Sequence, residues 1–198
     1  FTSAATSLQF SNPDKAPAWY VVTQAGYDLH APEQAIAKGL EIARDYTDAD
    51  GKPVSKVTVG QTLNVHLKIR ANSQAALSNL AIVDLLPGGF EVVQQTPPAP
   101  EGDEDNGEAA AGWRSPLAAN GSTWAPDFSD IREDRVIIYG SASNELQEFI
   151  YQIKATNSGS FVIPPAYGEA MYNRDIQALS AGQGRLEVVA EAPAKAAP

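Results

Sequence analysis

Leu63, Val65, Leu67 and Ile69 alternate without a break with Asn64, His66, Lys68 and Arg70. Successive side chains of an extended strand point to opposite faces, so this period of two predicts a strand with one apolar face on a core and one polar face in water. Gly60 precedes the run and Ala71-Asn72-Ser73 follow it, so both ends carry breakers.

The same pattern recurs along the chain. Leu40, Ile42, Arg44 and Tyr46 alternate with Glu41, Ala43 and Asp45. Asp50-Gly51 then supplies tight-turn chemistry around Asp48 to Pro53, and Val57 and Val59 resume the apolar pattern. A helix over Pro32 to Tyr46, with Ile36, Leu40 and Ala43 on one face, is the alternative reading. Leu80 to Leu86 is apolar on both sides apart from Asp84, and Arg135 to Tyr139 is a similar run. Runs of this kind suit strands covered on both faces. Pro87-Gly88-Gly89 ends the first run and Phe90-Glu91-Val92-Val93 follows it. Further strands are expected at Trp19 to Thr23, Phe161 to Ile163 and Arg185 to Val189. The stretch around Phe149, Tyr151, Ile153 and Ala155 fits strand or helix spacing, and its aromatic and β-branched content favours a strand. About eight to ten short strands with Gly, Pro and Asn punctuation predict an all-β chain folded as an antiparallel, immunoglobulin-like β-sandwich.

Composition limits what such a sandwich does. Hydrophobic residues make up 43% of 198 residues, enough for a sizeable core. The formal net charge of −10, with no basic stripe, argues against nucleic-acid binding and against anionic membrane surfaces. There is no cysteine, so disulfides and thiolate chemistry are excluded. No run of about 18 apolar residues is present to insert in a membrane. The chain begins at Phe1 and is expected to be a processed form or a fragment of a longer protein. Residues 97–112 combine Pro97, Pro98 and Pro100 with Glu101, Asp103, Glu104, Asp105 and Glu108. That composition predicts a mobile, solvated insertion, and the Ala- and Pro-rich stretch 190–198 a frayed tail.

Candidate chemistry is sparse. His30 and His66 are the only histidines, and no Gly-x-Ser-x-Gly elbow accompanies them, so both read as surface imidazoles. Asp103 to Glu108 lacks the ligand spacing of a calcium loop, because Arg114 falls where the bidentate glutamate belongs. Asp127, Asp130, Glu133 and Asp134 interleave with Arg132 and Arg135, which predicts local ion pairs rather than a glycosidase pair. Gly182-Gln183-Gly184 reads as a turn. No catalytic residue, cofactor or metal site is expected. The stretch Tyr167-Gly168-Glu169-Ala170-Met171-Tyr172 follows Pro164-Pro165, where a strand has ended. Aromatics and methionine in such a loop suit an end-cap of the core or an interface.

Four ordered stretches resemble the C-terminal domain of bacterial alpha-2-macroglobulins. They are Gly51-Lys52-Pro53 through Val59-Gly60-Gln61-Thr62-Leu63-Asn64-Val65, then Val83 to Glu91, then Asp130 to Val136, and Gly159-Ser160-Phe161-Val162-Ile163-Pro164-Pro165-Ala166-Tyr167 through Asn173. The resemblance implies a macroglobulin-like sandwich over residues 39–189, with residues 1–38 as connecting strands from a preceding domain. It also implies a periplasmic parent, membrane-anchored or free, that inhibits proteases by rearranging after bait cleavage. The partners would then be other domains of that parent, the target proteases and further periplasmic proteins. Tyr167, Glu169, Met171 and Tyr172 become candidates for an interdomain contact. In thioester-bearing relatives a tyrosine of this domain shields the thioester, and Tyr139, Tyr151, Tyr167 and Tyr172 are all open to that role. The alternative is a free-standing adhesive module of the cell surface. A hydrolase would need a histidine beside a serine and a carboxylate.

Overall fold

Gly39 is where the chain changes layers. Ile36–Lys38 (β1) and Leu40–Thr47 (β2) are consecutive in sequence but belong to different sheets. The glycine between them has φ +73°, a left-handed conformation that glycine adopts without steric cost. A Cβ there would also meet Ile176 Cγ1 at 3.2 Å. The alternative of a helix over 32–46 is therefore not realised. Leu40, Ile42, Arg44 and Tyr46 are instead buried at strand spacing.

The computed structural model describes residues 7, 9–13, 16–23, 34–73, 75–94 and 115–190. His30, the acidic stretch 97–112 and the tail beyond 190 lie outside the described residues. Among the described residues there is no helix. A six-stranded sheet runs in the order β1, Asn173–Leu179 (β12), Tyr167–Ala170 (β11), Leu77–Leu85 (β5), Arg135–Ala142 (β8) and Phe128–Ile131 (β7). A four-stranded sheet runs in the order β2, Thr62–Ala71 (β4), Gln147–Ala155 (β9) and Phe90–Val93 (β6). Both sheets are antiparallel throughout, as the alternating patterns predict.

A small third sheet joins Gly159–Val162 (β10), Arg185–Val189 (β13) and Lys56–Thr58 (β3). Its β13–β3 ladder is parallel, which departs from a wholly antiparallel sandwich. The two strands lie far apart in sequence, so no hairpin constrains their direction. Val57, Leu186 and Val188 from this sheet join the common core.

The two large sheets bury their apolar faces against each other. Leu63, Val65, Leu67 and Ile69 are each fully buried, so their side of the alternation points inward as predicted. Phe149, Tyr151 and Ile153 of β9 add a parallel row, opposed by Leu80 and Ile82 of β5 and by Val136 and Ile138 of β8. Each such side chain contributes about 1.5–3 kcal/mol when taken fully out of water. Residues 115–126 form no strand, yet Leu117 and Trp124 are buried. Ala119 N donates to Ile150 O at 2.7 Å and Trp124 N to Glu148 O at 2.8 Å, which closes the part of the β9 edge that β6 does not reach.

Residues 36–38, the end of the expected connecting strands, pair with β12 at the edge of the six-stranded sheet. Trp19 to Thr23, expected as a strand, is exposed and carries no strand. Residues 1–30 form a unit separate from 31–198. Within the first unit Phe10 stacks on Tyr20 at 5.1 Å, and Asn12 Nδ2 donates to Ala16 O at 2.6 Å. A run of high strand propensity becomes a strand only when a neighbouring backbone supplies the ladder.

Candidate interdomain contact site

Tyr167 to Tyr172 was expected to be a loop and is instead most of a hairpin. Pro164-Pro165 end β10, but the chain re-enters the six-stranded sheet two residues later. There β11 finds ladders on both sides, with β5 and β12. Ala170 pairs with Asn173, so Met171 and Tyr172 form a two-residue turn at the tip. The register shifts between Glu169 and Ala170, and Met171 N donates to Asn79 O at 2.9 Å. At the other end Ser180 clamps Ala166, accepting from its N–H through Oγ and donating to its carbonyl through the backbone N.

The four candidate residues divide into two pairs. Tyr167 and Glu169 are half-buried on the outer face of the sheet, and the Tyr167 hydroxyl donates to Glu169 Oε2 at 2.7 Å. Burial pushes the Tyr167 hydroxyl up to about 12, and the hydrogen bond and charge of Glu169 add to the shift. Met171 is 42% exposed and Tyr172 86% exposed, so neither caps the core. The intervening Gly168 and Ala170 face inward. A Cβ at Gly168 would clash with Ile42 Cδ1 and Ile82 Cδ1, so the hairpin lies tight against both layers.

A buried polar cluster sits beneath the hairpin's base. Arg44 of β2 is 2% exposed and pairs through Nη1 with Asp84 of β5, which is fully buried. Arg44 Nη2 donates to the carbonyl of Pro164, two residues before Ala166. Tyr151 of β9 donates its hydroxyl to Asp84 Oδ2 at 2.8 Å, and Tyr46 lies under the guanidinium with its ring centre 5.2 Å from Cζ. Gln183, in the Gly182-Gln183-Gly184 stretch, donates to the carbonyl of Arg44. The cluster thus ties together both layers, the segment leading into β11 and the segment leading into β13.

Electrostatics follow from burial. Desolvation pushes the Asp84 carboxyl upward, opposed by the Arg44 charge and the Tyr151 hydrogen bond. Desolvation pulls the Arg44 guanidinium down, but Asp84 and the two tyrosines more than offset it, so it stays charged. Burial also raises the hydroxyls of Tyr46 and Tyr151. The sequence signal for this cluster was present as charge out of place. Arg44 stands in the inward phase of β2, and Asp84 interrupts an apolar run.

His66 takes its predicted place on the polar face of β4. Its Nε2 lies 2.9 Å from Thr47 Oγ1 and its Nδ1 lies 3.0 Å from Glu148 Oε1. This hydroxyl–imidazole–carboxylate series joins β2, β4 and β9 across the outer face. The Lys68–Asp45 pair at 2.9 Å and the Arg70–Glu41 pair at 2.7 Å continue the same polar ladder. Of the second acidic group, Asp130 pairs with Arg132 at 2.8 Å and Asp134 with Arg135 at 2.5 Å, the ion pairs the spacing predicts. Among the described residues no group of three or more His, Asp and Glu side chains is placed to hold a metal ion.

These ladders and faces define an all-β sandwich domain. The family model described as "Bacterial Alpha-2-macroglobulin MG10 domain" matches residues 39–175, more than half of the chain. The chain belongs to the bacterial alpha-2-macroglobulin family. An alpha-2-macroglobulin homolog of Yersinia pestis is 64% identical over 96% of this chain and 10% of that protein. Alpha-2-macroglobulin of Pasteurella multocida is 39% identical over 91% of this chain and 8% of its own length. Escherichia coli alpha-2-macroglobulin activated by porcine elastase has the same fold, with a TM-score of 0.62 at 21% identity over 82% of this chain and 14% of that one. The chain thus spans about a tenth of the length of the curated relatives it matches.

Proposed function

We infer that this domain serves a periplasmic, protease-trapping alpha-2-macroglobulin by docking against other domains of its parent chain and moving with them after bait cleavage. On this reading it performs no bond chemistry of its own. The observation that carries the reading is the β11–β12 hairpin. Its tip projects Met171 and Tyr172 into solvent, while its base is tied to the core through Ala166, Gly168 and the Arg44 contact to Pro164. A rigid stem with an apolar, exposed tip suits a contact that is made in one conformation and released in another. The E. coli relative that was activated by elastase supports the same reading by analogy.

Of the tyrosines open to a thioester-shielding role, Tyr151 is buried on Asp84, and Tyr139 and Tyr167 lie along a sheet face. Tyr172 alone of these four stands clear at a hairpin tip, and it is the one assigned that role where the parent carries a thioester. The test is oxidative footprinting of the full parent chain with and without a target protease such as elastase. Met171 oxidation should change once the bait is cut. Cleavage of the bait with no change at Met171 or Tyr172 would make the domain a static module and favour the adhesive reading.

A further inference from the structure

The two outer faces of the sandwich are unlike. The outer face of the four-stranded sheet is the polar ladder of Glu41–Arg70, Asp45–Lys68 and Thr47–His66–Glu148. That is what an antiparallel sheet with one solvated face shows. The outer face of the six-stranded sheet carries a row of apolar side chains among polar ones. Cross-strand register places Leu179, Tyr167, Val83 and Ile137 in one continuous row over four strands. Tyr139 and Phe128 lie beside the row, paired across β8 and β7 with ring centres 6.2 Å apart. The row's side chains are only half-covered, and Phe128 is 56% exposed. An apolar row left half-covered on one face of a sheet is a patch of the kind that marks an interaction surface.

We propose that this outer face is a docking surface for an upstream domain of the same parent chain, one that presents an apolar patch of its own. Two observations choose that occupant. The chain spans about a tenth of its relatives' length, so most of the parent lies outside it. The polypeptide enters the sandwich at Ile36, which pairs with Leu179 at the end of the apolar row. Upstream segments are therefore tethered at the rim of this face and held at high effective concentration against it. Lys38, Glu169 and Asp130 lie at positions around the row, as polar groups rim an interface.

The proposal rests on membership in a longer parent but not on protease trapping, so its test uses the uncleaved full-length parent. Hydroxyl-radical oxidation supplies the first readout, with internal standards in the same domain. Phe128 and Tyr139 should oxidise as slowly as the buried Phe149 and Tyr151. Oxidation well ahead of those two would show an open face and overturn the proposal. The second readout names the occupant. A photo-crosslinking p-benzoylphenylalanine at Ile137 should yield an intramolecular product with a peptide upstream of this domain, independent of protein concentration. The same group at Lys154, on the polar face, should lose that product. A crosslink between two copies, to residues 95–114 of this domain, to a separate protein, or to nothing would overturn it.

Discussion

Replacing Arg44 with methionine keeps most of the stem's apolar volume and removes the guanidinium from the core. Asp84 is then left fully buried without its charge partner, and the carbonyl of Pro164 loses its donor. Breaking a buried pair by removing one member costs about 3–5 kcal/mol, because the remaining charge is stranded in low dielectric. Against a total of about 5–15 kcal/mol for a domain, that is a fifth or more of the stability. It corresponds to a fall in Tm of roughly 6–20 °C, at about 2–4 °C per kcal/mol for a chain of this size. The companion variant Arg44→Met/Asp84→Leu removes both charges. Apolar replacement of a whole buried pair is neutral or stabilising by about 1–4 kcal/mol. Here the Tyr151 hydroxyl and the Pro164 carbonyl lose partners at about 1–3 kcal/mol each. At mid-range these terms leave the double variant about 2 kcal/mol below the wild type, roughly half the loss of the single. Urea unfolding of all three proteins, read as midpoint shifts at constant slope, makes the comparison. A cost below about 1 kcal/mol for Arg44→Met, or a double variant as unstable as the single, would refute the account of the cluster.

Three further outcomes are expected. Burial raises the Asp84 carboxyl, so the folded state holds that proton to a higher pH than the unfolded chain, where the value is about 4. The stability from protonated Asp84 is present below about 4 and is lost as pH climbs through the raised folded value, so the wild type should lose ground to Asp84→Asn over that window in urea titrations; a flat or rising difference contradicts the assignment. Gly168→Ala drives a methyl into Ile42 and Ile82 and should destabilise by about 1–3 kcal/mol in the same assay, whereas a neutral result would mean the hairpin shifts freely. Met171→Asp, at an exposed turn, should change unfolding free energy by no more than about 0.5 kcal/mol while weakening the domain's docking in the full parent. Unchanged docking would make the hairpin tip a bystander.

Much of the architecture was legible because strand burial has a short period. The inward phases of β2, β4 and β9 follow from alternation alone, and so does the placing of His66 on the polar face. The turn at Asp48 to Pro53 was equally local, with Asp48 Oδ1 accepting from the N–H groups of Asp50 and Lys52. The candidate contact residues were found as a cluster, but their division into a half-buried pair and an exposed tip was not. That division depends on β11 pairing with both β5 and β12, and neither ladder leaves a mark within the six residues themselves. The misread strand at Trp19 to Thr23 has the converse cause, since propensity was present and a ladder was not.

By itself, then, the order of residues determined which side chains face inward, Arg44 and Asp84 among them, because facing is a property of each strand's own period. Only the tertiary structure decided what those charges meet. Arg44 finds Asp84 at 40 residues' separation, Pro164 at 120 and Gln183 at 139. Such contacts exist only once two sheets have closed on each other, and no local pattern encodes a partner across that distance. The apolar row on the outer face of the six-stranded sheet is a matter of assembly in the same way. Each strand declares its own apolar side, and register across the sheet adds those sides into one surface.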